Sequence, residues 1–84
     1  MYEVHLVRSA ADDIKGLPAA QRERIVGRIV ALGGDPRPPR SRKMVGSDQA
    51  WRVRVGQYRV VYEVDDAARE VRIMRVRHRR SVYR

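Results

Sequence analysis

Tyr2, Val4 and Leu6 alternate with Glu3 and His5, so the chain opens on a strand with one apolar face. Ser9 followed by Asp12 three places on is a capping-box signature. It starts a short helix through Ile14 and Leu17 that is interrupted around Gly16 and Pro18. The helical period is clearest in PAAQRERIVGRIVAL, residues 18–32. There Ile25, Val26, Ile29, Val30 and Leu32 form one apolar stripe, while Arg22, Glu23, Arg24 and Arg28 point elsewhere. Gly33 and Gly34 end this helix. Three prolines in DPRPPRSR, residues 35–42, exclude helix interior and central strand, so this segment is a connecting loop stiffened toward an extended form.

From Lys43 the period changes to two. Trp51, Val53 and Val55 alternate with Arg52 and Arg54, and Gly56-Gln57 makes a tight turn into Tyr58, Val60, Tyr62 and Val64. Asp65 to Ala68 supply the next turn. VRIMRVRHR, residues 71–79, is a last strand with Val71 and Ile73 on one face and Met74 and Val76 on the other, as a strand with neighbours on both sides requires. The expected fold is α+β, a single small domain over residues 1–84. An N-terminal strand and a helical hairpin pack on an antiparallel sheet, in the order strand, helix, helix, then three or four strands.

Length limits the chemistry. Eighty-four residues leave too little interior for a large cofactor pocket, and the absence of cysteine excludes disulfides and thiolate metal sites. The N-terminal pattern shows no basic leader followed by an apolar run, and no stretch approaches the roughly 20 apolar residues of a membrane span, so a cytoplasmic protein without a membrane partner is expected.

Charge changes the picture more. The net charge is +9. Up to Pro36, Arg8, Lys15, Arg22, Arg24 and Arg28 are balanced by Glu3, Asp12, Asp13, Glu23 and Asp35, so all of the excess lies beyond it. A polyanion or an acidic protein is the implied partner, against the alternative of a surface charged only for solubility. If the apolar strand residues bury against the helices, then Arg52, Arg54, Arg59, Arg75, Arg77 and Arg79 emerge together on the open face. Such a face repels itself unless a ligand such as a phosphodiester supplies negative charge. Pairing with Glu63 or Asp65 would account for one or two of these arginines, Arg75 beside Glu63 first among them, but hardly for six.

The run VRVGQYRVVYEVDD, the PRSRKMVG passage at residues 39–46 and the closing HRRSVYR resemble the RelE branch of the RelE/ParE toxin superfamily, in order and spacing over nearly the whole chain. The resemblance implies a ribosome-dependent endoribonuclease that cuts messenger RNA, needs no cofactor, and is silenced by a cognate antitoxin wrapped around it. Contacts with ribosomal RNA are implied too, and operator DNA is reached only through the antitoxin complex. By resemblance, Arg52 and Arg54 match paired basic positions, although relatives carry lysine there. Arg59 matches a phosphate-binding arginine, Arg79 the arginine of the last strand, and Tyr83 a near-terminal tyrosine. The expected catalytic set is Arg54, Arg59, Arg79 and Tyr83, with Lys43, Arg52, Arg75, Arg77, His78 and Arg80 binding RNA.

Metal-free RNA cleavage uses the neighbouring 2′-hydroxyl as nucleophile. The protein must align it, stabilise the charge on the phosphorane and protonate the leaving 5′-oxygen. Arg59 and Arg79 suit the charge. Arginine holds its proton too tightly to act as a base. That leaves Tyr83, whose phenolate nearby guanidinium groups would favour, and His78. Strict alternation puts His78 opposite Arg79, as a packed or hydrogen-bonded residue. His5 reads as surface and Asp65-Asp66 as turn chemistry, so no metal site is expected. Trp51, Tyr58 and Tyr62 share parity with valines and read as core rather than base-stacking residues. The flanks of the second helix are a place for the antitoxin. Two other classes fit the same fold: a ParE-like inhibitor of DNA gyrase, and a catalytically silent RNA-binding or antitoxin-partner module.

Overall fold

The computed structural model describes residues 1–80. Strand β1 (Glu3–Leu6) leads into helices α1 (Arg8–Lys15) and α2 (Ala19–Ala31), followed by β2 (Arg42–Lys43), β3 (Ala50–Val55), β4 (Tyr58–Asp65) and β5 (Glu70–His78). The sheet order is β1-β5-β4-β3-β2. From β2 to β5 the neighbours are antiparallel, as the hairpin signals predict. β1 joins the far edge parallel to β5, so the five-stranded sheet is mixed. Among the described residues, no helix is long and apolar enough to cross a membrane.

The core lies between the helical hairpin and one face of this sheet. Ala10, Ile14, Leu17, Ile25, Ile29 and Leu32 from the helical side meet Val53, Val55, Val60, Tyr62, Val64, Val71, Ile73 and Val76. Trp51 and Tyr58 share the parity of the core valines but are only partly buried at its margin, while Tyr62 is fully enclosed. Its hydroxyl donates to the Pro36 carbonyl at 2.7 Å, which satisfies the phenol inside the core and fixes the start of the proline-rich loop. Burial pushes the Tyr62 phenol above its ordinary pKa.

Local expectations are corrected in four places. Ser9 does not cap α1. The helix begins at Arg8 with Val7 in the cap position and no side-chain cap bond, so Ser9 and Asp12 lie inside its first turns. The apolar stripe of α2 is narrower than its composition suggests. Ile25, Ile29 and Leu32 bury, whereas Val26 and Val30, one residue further round the helix, are exposed. A small sheet covers one line of a helix, not two. In β5 a bulge breaks strict alternation, for the register steps from Val61↔Arg75 to Tyr62↔Ile73 and leaves Met74 as the extra residue. Val71, Ile73 and Val76 therefore all face the core, and Met74 is only partly buried. Lastly, β5 stops at His78, so Arg79 lies in the following turn, its amide donating to the Gln57 carbonyl at 2.7 Å.

α1 also finishes the edge that β1 leaves short. β1 pairs with β5 only as far as Leu6↔Ile73. Beyond that point Asp13 takes over. Its carboxylate accepts the Val76 amide at 2.9 Å and holds the Arg75 guanidinium through two bonds of 3.0 and 3.1 Å. A helix side chain thus satisfies the strand edge that would otherwise be open. The expected pair of Arg75 with Glu63 is not formed. Glu63 pairs with Arg72 at 3.3 Å instead.

Candidate nucleic-acid interface

Residues opposite each other across paired strands share a face. On the face away from the helices, Arg42 stands opposite Arg52, Arg54 opposite Arg59, and Arg59 opposite Arg77. Val61 lies between Arg52 and Arg75 in the same row. Like charges directly opposite destabilise a sheet, and here this happens three times in register. Pro39 and Arg40 from the loop join Arg42, Arg52, Arg54 and Arg59 around a cleft of about 350 Å³. Among the described residues, Arg40, Arg42, Arg52, Arg54 and Arg77 have no carboxylate within 4.0 Å. Arg54 is oriented by its Nε, which donates to the Gly56 carbonyl at 3.2 Å, and Arg42 by a bond of 3.2 Å to the Ser41 carbonyl. Both partners are neutral acceptors, so the charges are aimed without being cancelled.

The loop wall of the cleft is fixed from behind. Arg37 grips Asp66 at the β4–β5 turn through bonds of 2.7 and 3.2 Å and lies 5.4 Å from the Trp51 ring centroid. Tyr2 donates its hydroxyl to the same carboxylate at 2.5 Å. Hydrogen bonds from Arg37 first, then Tyr2, hold the Asp66 carboxyl below the usual carboxylate range. Donating to Asp66 in turn raises the Arg37 pKa. Ser41 donates to the Pro38 carbonyl at 2.7 Å, which closes the loop just before Arg42.

The remaining sequence candidates separate. Lys43 stands opposite Trp51, on the other face from Arg42, so Arg42 and not the lysine borders the cleft. Arg75 is committed to Asp13. The His78 ring packs edge-on against Tyr58, centroids 5.3 Å apart, and its Nδ1 accepts the Arg80 amide at 3.2 Å. It is both packed and hydrogen-bonded, as its parity predicts. Arg79 and Arg80 are exposed in the turn after β5. Tyr83 lies outside the described residues. Arg40 and Arg42 were not singled out in the sequence, where they appear only as part of a basic loop. Their signal was the charge density of PRPPRSRK, but only pairing of β2 with β3 turns Arg42 toward Arg52.

At the other end of the open face the charges are balanced. Arg72 bridges Glu63 and Glu70, and the Nε2 of His5 lies 3.0 Å from Glu3 and 3.7 Å from Glu70. Glu3, His5 and Glu70 are the described side chains grouped closely enough to ligate a cation, with ligand atoms within 4.8 Å of one another. Arg72 already compensates Glu70, and the group is well removed in register from the arginine cleft. The cleft can neutralise several phosphates and stabilise charge developing on one of them. Among the described residues that line it, none is suited to carry a proton near neutral pH.

The family of the ParE toxin of type II toxin-antitoxin systems, parDE, matches residues 4–83. The chain belongs to the RelE/ParE toxin superfamily. A curated Methanocaldococcus jannaschii protein named as a RelE1 toxin is 28% identical over 86 residues, covering 99% of this chain and 96% of that protein. Among solved structures, the archaeal RelE-RelB complex from Pyrococcus horikoshii matches with a TM-score of 0.83 and 25% identity, over 93% of this chain and 94% of its counterpart. The RelBE2 toxin-antitoxin complex from Mycobacterium tuberculosis gives a TM-score of 0.80 and 26% identity, over 92% and 96%. The likeness covers the helical hairpin and the mixed sheet together, so the arginine cleft sits on the shared RelE/ParE scaffold and not on an appended segment.

Proposed function

We propose that this RelE/ParE-superfamily toxin is a ribosome-dependent endoribonuclease that cleaves messenger RNA by attack of the 2′-hydroxyl. The observation that supports this most directly is the cleft of Arg40, Arg42, Arg52, Arg54 and Arg59, with arginines opposed in register where stability alone would separate them. In the proposed reaction the 2′-oxygen loses its proton as it attacks the adjacent phosphorus. The phosphorus–5′-oxygen bond breaks and that oxygen gains a proton, leaving a 2′,3′-cyclic phosphate. Arg54 and Arg59 hold the non-bridging oxygens as charge builds on them, with Arg79 approaching from the turn. Tyr83 carries the proton, because no arginine gives one up near neutral pH.

Arg52 and Arg77 bind the flanking backbone, and Lys43 and Arg80 extend the positive field toward message and ribosomal RNA. The relatives that were solved with RelB support a cognate antitoxin as protein partner, and we place the toxin in the cytoplasm, with operator DNA bound only by the toxin-antitoxin complex.

Primer extension on messenger RNA in a purified translation system tests the reading. Cuts that appear only on ribosome-loaded message and fade with Arg59→Ala and Tyr83→Phe support it. Intact message at protein levels that still arrest growth would sink it and turn attention to gyrase. Intact message with no arrest would instead favour a silent binding module.

A further inference from the structure

The geometry points to a second RNA-backbone site on α2, formed by Arg24 and Arg28 and joined to the arginine cleft across Gly56. This inference rests on the cleft binding RNA. Arg24 and Arg28 lie one helical turn apart and, with Ala20, Glu23 and Gly27, line an open groove of about 590 Å³. All five residues are exposed. A side-chain carbon added at Gly27 would meet nothing within 4 Å, so the floor is open to a ligand.

The link to the cleft is a single residue. Gly56, at φ +60° in the β3–β4 turn, offers its carbonyl to Arg54 of the cleft at 3.2 Å. On its other side, the position a Cβ would occupy lies 3.2 Å from an Nη of Arg24 and 3.5 Å from its Cζ. The absence of a side chain there lets the Arg24 guanidinium lie against the turn, and an RNA strand leaving the cleft over Gly56 meets it next.

Arg28 lies in the last turn of α2, where the helix dipole favours a cation, but that does not account for Arg24 beside it. Like charges at i and i+4 weaken a helix, and among the described residues neither arginine has a carboxylate within 4.0 Å. Arg40, Arg42, Arg52 and Arg54 of the cleft are arranged in the same way, close together and with no carboxylate of the described residues within 4.0 Å. Two arginines whose backbone positions are about 6 Å apart along a helix axis suit successive phosphates of an unstacked strand. The neighbouring Glu23 favours backbone that passes on the Arg24–Arg28 side of the groove. The ligand class is therefore the sugar-phosphate backbone of single-stranded RNA, read without regard to base.

Fluorescence anisotropy with labelled single-stranded RNA separates the two sites. One RNA has about 4 nucleotides and fills the cleft alone, and the other has about 16, spanning the range of single-strand site sizes. The R24Q/R28Q variant keeps good helix formers at both positions. It should bind the short RNA as the wild type does and the long RNA more weakly. Its slope of log affinity on log salt should be shallower by about 1.4, the value for two phosphates on a single strand. Equal long-RNA affinity and equal slope in the two proteins would overturn the second site. Unchanged RNA binding together with weaker capture of the antitoxin would also overturn it and assign the groove to a protein. R52A/R54A, run in parallel, checks the cleft separately: a wild type that binds the short RNA no better than this variant refutes the cleft reading itself.

Discussion

Replacing Asp13 by alanine should destabilise the fold more than any exposed charge substitution, although Asp13 is a helix residue far in sequence from what it holds. Its side chain is only 16% exposed and accepts three hydrogen bonds of 2.9–3.1 Å, one from the Val76 amide and two from Arg75. A bond from an amide to a carboxylate in such a position contributes about 1.5–3 kcal/mol. Arg75 is 43% exposed and regains water when released, so its share is discounted to about 0.5–1 kcal/mol. Asp13→Ala should therefore lose about 2–4 kcal/mol, which for a domain of this size lowers Tm by roughly 10–30 °C. Asp13→Asn keeps an acceptor for Val76 and should lose about 1 kcal/mol. Urea melts of both variants, with amide exchange at Val76, measure this. If Asp13→Ala stays within about 0.5 kcal/mol of the wild type, or costs no more than Arg75→Ala, then the carboxylate is not what closes this edge.

Other outcomes follow from the same structure. Tyr62→Phe leaves the Pro36 carbonyl without its donor and should cost about 1–2 kcal/mol in chemical denaturation; an unchanged midpoint would mean that water or a backbone shift replaces the bond. Asp66 has its folded pKa depressed by Arg37 and Tyr2, so its stabilisation is complete above the unfolded value near ~3.9 and is lost as pH falls through the lower folded value. Asp66→Asn should flatten that acid limb, and an acid limb of unchanged steepness would contradict the assignment. Arg52→Thr should weaken the RNA binding proposed for the cleft yet raise stability by up to about 0.5–1 kcal/mol at low salt, because it removes the charge opposite Arg42; a loss of stability would show that the opposed arginines are not repelling. That gain should shrink in about 1 M salt, where the screening length falls to roughly 3 Å.

Most strands and both helices were legible because their periods are enforced by a single buried face. Val53, Val55, Val60, Tyr62 and Val64 bury as alternation requires, and the arginines between them face out. Apart from the misplaced cap of α1, the misses share a cause: each depends on contacts between segments far apart in sequence. Nothing in VRIMRV marks Met74 as the bulged residue, because a bulge is defined by pairing with Val61 and Tyr62. The exposure of Val26 and Val30 depends on how much of α2 the sheet can cover. Asp13 and Arg75 are separated by most of the chain, and Arg42 turns toward the cleft only through its place opposite Arg52. The candidate site was thus visible as an excess of outward arginines, while its loop wall and the edge clamp beneath β5 were not.

The parallel pairing of β1 with β5 bears on when this chain can become active. Glu3 is matched to Glu70 and Leu6 to Ile73, so β1 cannot complete its pairing until both helices and β2 to β4 have been made and β5 has followed them. Pairings of such long sequence separation form late and slowly. During synthesis the helical hairpin can form early, but the sheet that presents the arginines stays incomplete until β5 has emerged. If the arginine cleft is the ribosome-directed site proposed above, topology shields the ribosome making this protein, and an antitoxin that binds unfinished or newly released chains has an interval in which to do so.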